Sequence, residues 1–305
     1  MKELYDPMED KSFWIQKQKF KESYEMENRH YHNHYELYYL LSGERYYFIK
    51  DRSYHVRSGD LVLINKNALH HTSNANGFQH EKIMIYFKEE YISSLFNPEK
   101  MIDLFSIFQH QSNIISLDIK NQEIIKQLLL KLLAEYNSFK LAVKNNSQQI
   151  MTDQITSDSK KENEFHLKIM LAELLYRIKK IRKSENRDFK HTSSLHKTIS
   201  DIAKYIGQNY ENEISLGSTA DRFSLNPCYL STKFKEISGF SFIEYLNLIR
   251  LKEAKKLLKE SDLNITEISE AVGFNTLSHF GRMFKKHNDL SPSKYRKVNS
   301  RKNSL

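Results

Sequence analysis

The spacing of apolar residues changes twice along the chain. Between residues 34 and 87, short runs rich in Tyr, Val, Ile and Leu alternate with turns that contain Gly, Asp, Asn and Ser. This rhythm is typical of a small antiparallel barrel or sandwich. The predicted strands are Tyr35–Leu41, Arg45–Ile49, Tyr54–Arg57, Leu61–Ile64 and Ile83–Phe87. Residues 1–29 are polar with scattered aromatics, which leaves an edge strand and an extended arm both open.

From residue 97 to 194 the apolar residues recur at helical spacing. One stripe runs from Ile124 to Tyr136 and another lies in Glu164–Arg182, so two helices are predicted, with residues 144–163 as a polar loop between them. Such helices can pack on the sheet domain or pair with a second subunit. We favour pairing, because both helices are more apolar than one sheet face needs.

The last third of the chain contains one pattern twice. Ile214–Glu236 and Ile265–His287 each read as a short helix, a tight turn and a second helix. Ala220 aligns with Ser269, and the offset between equivalent residues grows from 49 to 50 inside the turn, so the second turn is one residue longer. Two short helices joined in this way form a helix-turn-helix, whose second helix enters the DNA major groove.

Capping signals support these helices. Asn226-Pro227 combines a capping side chain with a proline at the first helical position, and Ser241–Glu244 and Asn264–Glu267 have the spacing of capping boxes. A long amphipathic helix is predicted between the two copies, from Phe242 to Leu258, and a final helix starts at Ser291-Pro292. The long helix would hold both copies in one fixed relation.

Charge and cysteine content narrow the class of protein. The net charge of the 305 residues is +9, and the segment from Leu195 onward contains 18 Lys and Arg but only 12 Asp and Glu. Positive charge is therefore denser at this end, as contact with DNA phosphates requires. The single cysteine, Cys228, forms no disulfide within the chain, which favours a reducing compartment. No apolar run approaches the roughly 20 residues of a membrane span, so we expect a soluble, cytoplasmic protein without membrane partners.

The C-terminal segments TADRFSLNPCYLSTKFK, SGFSFIEYLNLIRLKEAKKLL, ITEISEAVGFNTLSHFGRMFKK and SPSKYR resemble the DNA-binding domain of AraC/XylS-family transcription regulators. About a hundred residues are covered, with both copies and the linker helix in the family's order. Two positions depart from the pattern: Thr219 stands where an aliphatic residue is usual, and Asp289 where a glycine is usual.

The resemblance implies an α+β multidomain protein. We expect an N-terminal cupin-like antiparallel β-barrel that senses an effector over residues 1–110, a helical dimerisation segment and linker over 111–190, and an all-α tandem helix-turn-helix domain over 195–300. It further implies double-stranded operator DNA as partner, a homodimer, RNA polymerase as a partner by family analogy, and activation of nearby genes, commonly those for the use of carbon sources.

Candidate DNA contacts follow from matching the family's pattern position by position. The base-facing candidates are Cys228, Ser231 and Thr232 on the first reading helix and Leu277, Ser278 and Arg282 on the second. The phosphate candidates are Lys233, Lys235, Lys285, Lys286 and Arg296. Arg282 is the strongest candidate, because arginine donates two hydrogen bonds to guanine. Leu230, Phe234, Phe280 and Phe284 are expected to be core.

The predicted barrel carries a second resemblance. His30-x-His32-x3-Glu36-x6-Gly43 is similar to the first cupin motif, and the segment from Gly59 through His70 to Asn74 is similar to the second. In metal-dependent cupins the matching residues bind a divalent metal, which makes His30, His32, Glu36 and His70 weak metal candidates; no cofactor is expected. Because side chains alternate along a strand, an inward Glu36 brings Tyr38 and Leu40 inward as well. Aromatic side chains with polar tips suit a small polar effector such as a sugar. The predicted effector pocket comprises His30, His32, Glu36, Tyr38, Tyr47, His70 and Tyr86.

Three other functions stay open on the sequence alone. A metal-dependent cupin enzyme with an attached DNA module predicts stoichiometric metal at the histidine cluster. A metal- or redox-sensing regulator predicts that metal changes DNA affinity. An architectural DNA-binding protein predicts little sequence preference. We expect no enzyme, since the chain contains no nucleophile motif and no phosphate-binding glycine loop.

Overall fold

In a computed structural model, the chain divides into two compact units: one formed by Met1–Ile49 and Tyr54–Thr192, and one formed by Lys50–Ser53 and Ser193–Leu305. The structure describes residues 8, 11–21, 32–75, 77–95, 103–146, 153–184 and 193–300. None of the helices in these ranges combines the length and the apolar character that a membrane crossing requires.

The first unit contains two sheets. A five-stranded sheet has the order β1-β7-β2-β5-β8, and a three-stranded sheet has the order β4-β3-β6. The strands are β1 (Phe13–Phe20), β2 (Tyr35–Ser42), β3 (Glu44–Ile49), β4 (Arg52–Arg57), β5 (Asp60–Ile64), β6 (His70–Asn74), β7 (His80–Phe87) and β8 (Ile114–Ser116). Every strand pair with a described register is antiparallel, so the predicted sheet-rich N-terminal fold is confirmed.

Both faces of strand β2 are covered, which explains its continuous apolar run. All residues from Tyr35 to Leu40 are buried. On the inner face, the Tyr38 ring lies 5.1 Å from the Tyr47 ring of the three-stranded sheet. On the outer face, the Tyr35 ring lies 5.1 Å from Phe105, in a short 3₁₀ helix over Leu104–Phe108. A strand buried on both sides reads as hydrophobic at every position.

Three strands lie outside the five predicted ones. Strand β1 pairs along its whole length with β7, from Phe13 opposite Phe87 to Phe20 opposite His80, and thus forms an edge of the larger sheet. Of the two interpretations left open for residues 1–29, the edge strand is correct. Strand β6 is the polar segment His70–Asn74, and β8 has only three residues.

The helices of the first unit are α1 (Glu89–Ser93), α2 (Ile119–Asn146) and α3 (Asp153–Ser184). Their buried side chains, among them Ile125, Leu129 and Leu171, belong to the same core cluster as the sheet residues. The polar loop predicted over residues 144–163, of which residues 147–152 lie outside the described part of the chain, is wrong at both ends, because α2 continues to Asn146 and residues 153–163 are helical. That stretch is long, polar and without an apolar stripe, so periodicity could not reveal it.

The second unit consists of seven helices in its described part. They are α4 (Ser194–Asn209), α5 (Leu216–Arg222), α6 (Pro227–Ser238), α7 (Phe242–Glu260), α8 (Ile265–Ala271), α9 (Leu277–Asn288) and α10 (Pro292–Ser300). The two predicted helix-turn-helix copies are α5–α6 and α8–α9. Side chains make all the predicted caps: Asn226 accepts from the amides of Cys228 and Tyr229, and capping boxes form at Ser241 and Asn264.

The two turns share one backbone geometry. Leu225 N donates to Ala220 O, and the equivalent Phe274 N donates to Ser269 O, both at 2.9 Å. Ser224 and Gly273 occupy the same position of the turn, and both have positive φ, 53° and 83°. The first turn then reaches its N-cap at Asn226 and the second at Thr276, so the second is one residue longer, as predicted.

Helix α7 supports both copies with different ends. Its first turns lie against α6, where the Phe234 ring is 5.9 Å from Phe242 and 5.4 Å from Tyr245. Its later residues Leu251, Ala254 and Leu258 share a core cluster with the second copy. The predicted stripe on this helix therefore forms two separate halves of the core.

Candidate functional site

The predicted base-contacting residues are exposed on the two second helices. Cys228, Ser231 and Thr232 lie on the exposed side of α6, and Leu277, Ser278 and Arg282 on that of α9. Leu277 keeps 45 % of its surface exposed, which is unusual for a leucine in a packed helix. The Thr232 hydroxyl donates to Cys228 O at 3.0 Å, so its oxygen is left to accept from a base.

The opposite sides of the same helices are core. Leu230, Phe234, Phe280 and Phe284 are all fully buried, as expected. In α9 the Phe280 and Phe284 rings lie 5.7 Å apart, and Tyr295 of α10 packs on Phe284 at 5.4 Å. Each helix thus has one exposed, largely polar side and one side that is packed in the core.

The phosphate candidates fall into two groups. Lys235, Lys285 and Lys286 are exposed. Lys233 forms an ion pair with Glu236 at 2.6 Å, and Arg296 donates from Nη2 to Leu263 O at 2.5 Å. Both of the latter side chains already contact another group of the domain, whereas the first three are the better placed to reach a phosphate.

Arg250, which sequence reasoning did not single out, joins three parts of the second unit. From α7 its Nε donates to Tyr210 O at 2.8 Å and its Nη2 donates to Asn212 O at 3.0 Å. Its guanidinium also lies 5.8 Å from the ring of Phe274 in the second turn. These bonds hold the end of α4 and the second turn on the linker helix.

Six of the seven predicted pocket residues are buried in the first unit. The seventh, His30, lies outside the described residues. In the antiparallel register Glu36 stands opposite Tyr86 and Tyr38 opposite Met84, so these side chains share one face of the larger sheet. Tyr47 stands opposite Thr72 on the smaller sheet. The predicted inward alternation of Glu36 and Tyr38 is therefore confirmed.

A carboxylate and two imidazoles meet at one end of this interior. Glu36 Oε2 lies 3.2 Å from His32 Nε2 and 3.4 Å from His70 Nε2. The Nδ1 atoms of the two histidines lie 2.9 Å from the carbonyl oxygens of His34 and Ala68. A carbonyl oxygen only accepts, so each Nδ1 carries a proton, and each Nε2 faces the carboxylate.

Burial and charge act against each other in this cluster. Burial raises the pKa of Glu36, but hydrogen bonds and charges from His32 and His70 outweigh it and hold the pKa well below the usual range. Burial lowers the pKa of His70, but the hydrogen bond and the charge of Glu36 outweigh it, so that this pKa is raised. Each of these two groups therefore favours the charged form of the other.

These three residues also fit a divalent cation. One ligand atom from each of His32, Glu36 and His70 lies within 4.8 Å of the others. Imidazole nitrogen together with carboxylate oxygen is a plausible set for a transition metal, and a proton fixed on each Nδ1 is the usual state of metal-bound histidine. His34 stacks on His32 with a ring distance of 3.8 Å and supports it rather than joining the set.

Two cations in the interior escaped the sequence analysis. Arg45 and Lys82 are 1 % and 2 % exposed. Arg45 stands two residues before Tyr47 on β3, and Lys82 four residues before Tyr86 on β7, so strand alternation places all four on inner faces. The rule that led to Tyr38 would have found them, had it been applied to charged residues as well as to aromatic ones.

Comparison with known proteins follows this division into two parts. The family model described as an AraC-like ligand binding domain matches residues 21–145, and the one described as a helix-turn-helix domain matches residues 219–298. The N-terminal match is thus to a ligand binding domain of the AraC type, and the C-terminal match is to a helix-turn-helix domain. Curated proteins similar to the chain are described as HTH-type transcription regulators.

Individual relatives match the chain over parts of their length. An uncharacterised HTH-type regulator of Escherichia coli, YijO, is 31 % identical over 58 % of this chain and 58 % of its own length. The HTH-type transcriptional activator RhaS of Pectobacterium carotovorum is 39 % identical over 30 % of this chain and 33 % of its own. The chain thus spans less than two thirds of these relatives. The C-terminal domain of AraT, a response regulator from Geobacillus stearothermophilus, is 36 % identical over 35 % of this chain and 88 % of that domain, with a TM-score of 0.34.

Proposed function

We propose that the protein is a sequence-specific DNA-binding transcription regulator. The observation that carries this proposal is the pair of equivalent helix-turn-helix copies. In each copy the second helix exposes polar residues on one side and buries aromatic side chains on the other. One subunit would read two successive segments of the major groove on one face of the DNA, about 34 Å or one helical turn apart.

Different side chains would contact the DNA bases and the phosphates. Arg282 would donate two hydrogen bonds to a guanine, worth about 1–3 kcal/mol of discrimination. Ser231, Thr232 and Ser278 would specify weakly, and the exposed Leu277 suits a thymine methyl group. Lys235, Lys285 and Lys286 would bind phosphates, which fix the register without reading sequence.

The test is a binding-site selection followed by footprinting at stated salt, with Arg282→Ala and, as matched control, the exposed Arg57→Ala of the first unit. We expect a compact motif with two half-sites about one turn apart. Arg282→Ala should relax preference at one base pair and Arg57→Ala should change nothing. Equal weakening at every sequence would reject the base contact, and salt-sensitive binding without a motif would reject the specific regulator.

The interior of the first unit is the proposed effector site. Its buried tyrosines and polar groups suit a small hydroxylated molecule such as a sugar, and effector binding would change how the subunits present their reading helices. The matching relative RhaS is described as an activator, which favours activation, with RNA polymerase as a partner, for this protein. The exposed thiol of Cys228 agrees with a reducing, cytoplasmic setting.

A homodimer through the helices of the first unit is the proposed assembly. Six large apolar side chains stay exposed among the described residues of α2 and α3. They are Ile119 (87 %), Leu130 (37 %), Leu141 (62 %), Phe165 (54 %), Ile169 (45 %) and Tyr176 (37 %). Several such side chains on one helix pair are typical of an interaction surface. The double variant Phe165→Glu, Ile169→Glu should be monomeric by light scattering, whereas Phe78→Glu, at a similarly exposed site on a loop, should stay dimeric. A wild-type monomer at all concentrations would reject the assembly.

A metal-sensing regulator is the second candidate, favoured by the geometry of His32, Glu36 and His70. With both Nδ1 protons donated to carbonyls, the Nε2 atoms and the carboxylate converge on one point, which only protons or a cation can bridge. We would measure DNA affinity with and without Co²⁺ or Zn²⁺, using His32→Ala and, as control, His55→Ala. Metal-dependent affinity lost only in His32→Ala would favour this candidate; unchanged affinity would reject it.

A further inference from the structure

Helix α9 contains a glycine that its backbone conformation does not require. Gly281 is the fifth residue of the helix Leu277–Asn288, and its φ is not positive. Gly273 differs in this respect, because its positive φ favours glycine over residues with a side chain. Inside a helix, glycine is less favourable than alanine, since its backbone loses more freedom on folding. The glycine at position 281 therefore has a cost that local structure does not offset.

Packing within the described part of the chain does not account for Gly281 either. A Cβ atom at this position would have no described atom within 4 Å, apart from its chain neighbours and the nearby backbone of the helix itself. An alanine would thus fit without a clash and would make a better helix. The reason for glycine is to be sought in a molecule that the helix contacts.

The position of Gly281 indicates which molecule that is. It lies one helical turn after Leu277 and Ser278 and one turn before Lys285, and residues at such spacings share one side of a helix. These three neighbours are exposed, and they are the proposed contacts to bases and to a phosphate. Gly281 thus lies on the side of α9 that faces DNA in the proposed function.

The internal repeat supports the same assignment. Phe284 of α9 is the equivalent of Phe234 of α6, and at the same offset Gly281 is the equivalent of Ser231. Ser231 is exposed and is one of the proposed base contacts. The first reading helix therefore has a Cβ atom at this position, whereas the second has none.

We propose that Gly281 is the point where the second reading helix comes closest to the DNA, and that a side chain there holds α9 away from the floor of the major groove. The inference rests on the proposed DNA reading and adds to it a residue that determines specificity. Glycine permits the closest approach of a backbone to a ligand. Contacts of Leu277, Ser278 and Arg282 with base edges depend on that approach, whereas Lys285 reaches a phosphate at the rim of the groove without it.

The test uses variants of the full chain in which helix stability and DNA affinity change in opposite directions. Gly281→Ala and Gly281→Met introduce side chains of increasing size, and both residues form helices better than glycine does. Amide hydrogen exchange in α9 should become slower by about fivefold in both variants. Affinity for the selected DNA site should fall at least about tenfold with alanine, and further with methionine. Affinity for unrelated DNA should not change, because the phosphate contacts remain.

Gly207 provides the matched control. It is exposed in helix α4, and a Cβ atom at this position also has no described atom within 4 Å. Gly207→Ala and Gly207→Met should therefore slow amide exchange in α4 but leave the affinity for the selected DNA site as it is in the wild type.

Two results would overturn the inference. One is an unchanged affinity of Gly281→Ala and Gly281→Met for the selected site. The other is an equal loss of affinity for selected and unrelated DNA, because close approach to the groove floor matters only in the specific complex. The wild type separates the two proposals. A wild-type motif with tolerant Gly281 variants rejects this inference alone, whereas a wild type that selects no motif rejects the regulator and this inference with it.

Discussion

Gly273→Ala should disrupt the second helix-turn-helix far more than a single methyl group suggests. Gly273 has φ of 83°, a conformation that disfavours any side chain. A Cβ atom at this position would lie 2.7 Å from Tyr210 O, 2.7 Å from Glu211 O and 3.0 Å from Arg250 Nη2. Two of these neighbours are backbone atoms, so the clash is relieved only if the end of α4 moves.

The magnitude follows from two contributions. A residue with Cβ in the left-handed region is less stable by about 1–2 kcal/mol. Movement of Tyr210 and Asn212 would also break the bonds that Arg250 donates to their carbonyls, each worth about 1.5 kcal/mol or more for a charged donor. If one or both of these bonds break, the loss is about 3–5 kcal/mol, a large part of the 5–15 kcal/mol that is typical of a folded domain.

Ser224→Gly is the matched control, and it should change the stability in the opposite direction. Ser224 takes the equivalent place in the first turn, with φ of 53°. Glycine there removes about 1–2 kcal/mol of strain and adds up to about 1 kcal/mol of unfolded-state entropy. The first copy should therefore gain between about 0 and 2 kcal/mol.

Amide hydrogen exchange on the full chain measures the two copies separately, because local opening reports on each. In Gly273→Ala the amides of α8 and α9 should exchange faster by at least a hundredfold, since 3 kcal/mol is more than two factors of ten. Those of the first unit should not change. If Gly273→Ala lost less than about 0.5 kcal/mol, or if Ser224→Gly lost as much as Gly273→Ala, the argument from positive φ and steric contact would be refuted.

Three further predictions concern single side chains. Thr219 is fully buried and its hydroxyl has no partner among the described residues, so Thr219→Val should raise the free energy of unfolding by about 1 kcal/mol; a loss would mean that the hydroxyl is bonded after all. Lys285→Ala and Lys286→Ala should each reduce the slope of log K against log salt by about 0.9 without altering the preferred sequence; a changed motif or an unchanged slope would reject their role, and Lys17→Ala is the control. Because the pKa of Lys82 is about 8 in the folded chain and 10.5 as its ordinary value, the folded state loses this proton first as pH rises. The stability of the wild type should therefore increase relative to Lys82→Met between pH 8 and 10.5, by up to about 3 kcal/mol in urea unfolding, and parallel pH profiles would contradict the burial of a charged lysine.

Local signals were sufficient for α5 to α10 of the second unit, whereas α4 was not predicted. Helices there begin at side chains that cap them and repeat the same turn, so short-range chemistry in the sequence fixes both the elements and their order. A position that departs from the family pattern still has the backbone conformation expected there. Asp289, which stands where glycine is usual, adopts φ of 58° at the end of α9, just as Gly239 adopts 82° at the end of α6.

The strands of the first unit were harder to predict from the sequence, for a physical reason. Strand β6, with the sequence HHTSN, has no apolar rhythm, because it owes its place to pairing with β3 rather than to its own pattern. Long-range pairing also sets Arg45 opposite Asn74 and Lys82 opposite Leu40, and neither strand's own sequence shows these neighbours. The six predicted DNA-base contacts remain predictions, since exposure agrees with that role without testing it.

The bonds of Arg250 have a consequence for the geometry of the operator. Arg250 holds the second turn and the end of α4 on the linker helix, and Phe234 packs the first reading helix on the same linker helix, so that together they set the angular phase between the two reading helices. DNA turns once in about 10–10.5 base pairs, so one inserted base pair rotates the second half-site by roughly 35°. If the reading helices cannot rotate by the same angle, the DNA itself must twist or bend for both half-sites to be bound. Spacing between half-sites then becomes a property that selection can act on independently of the bases themselves.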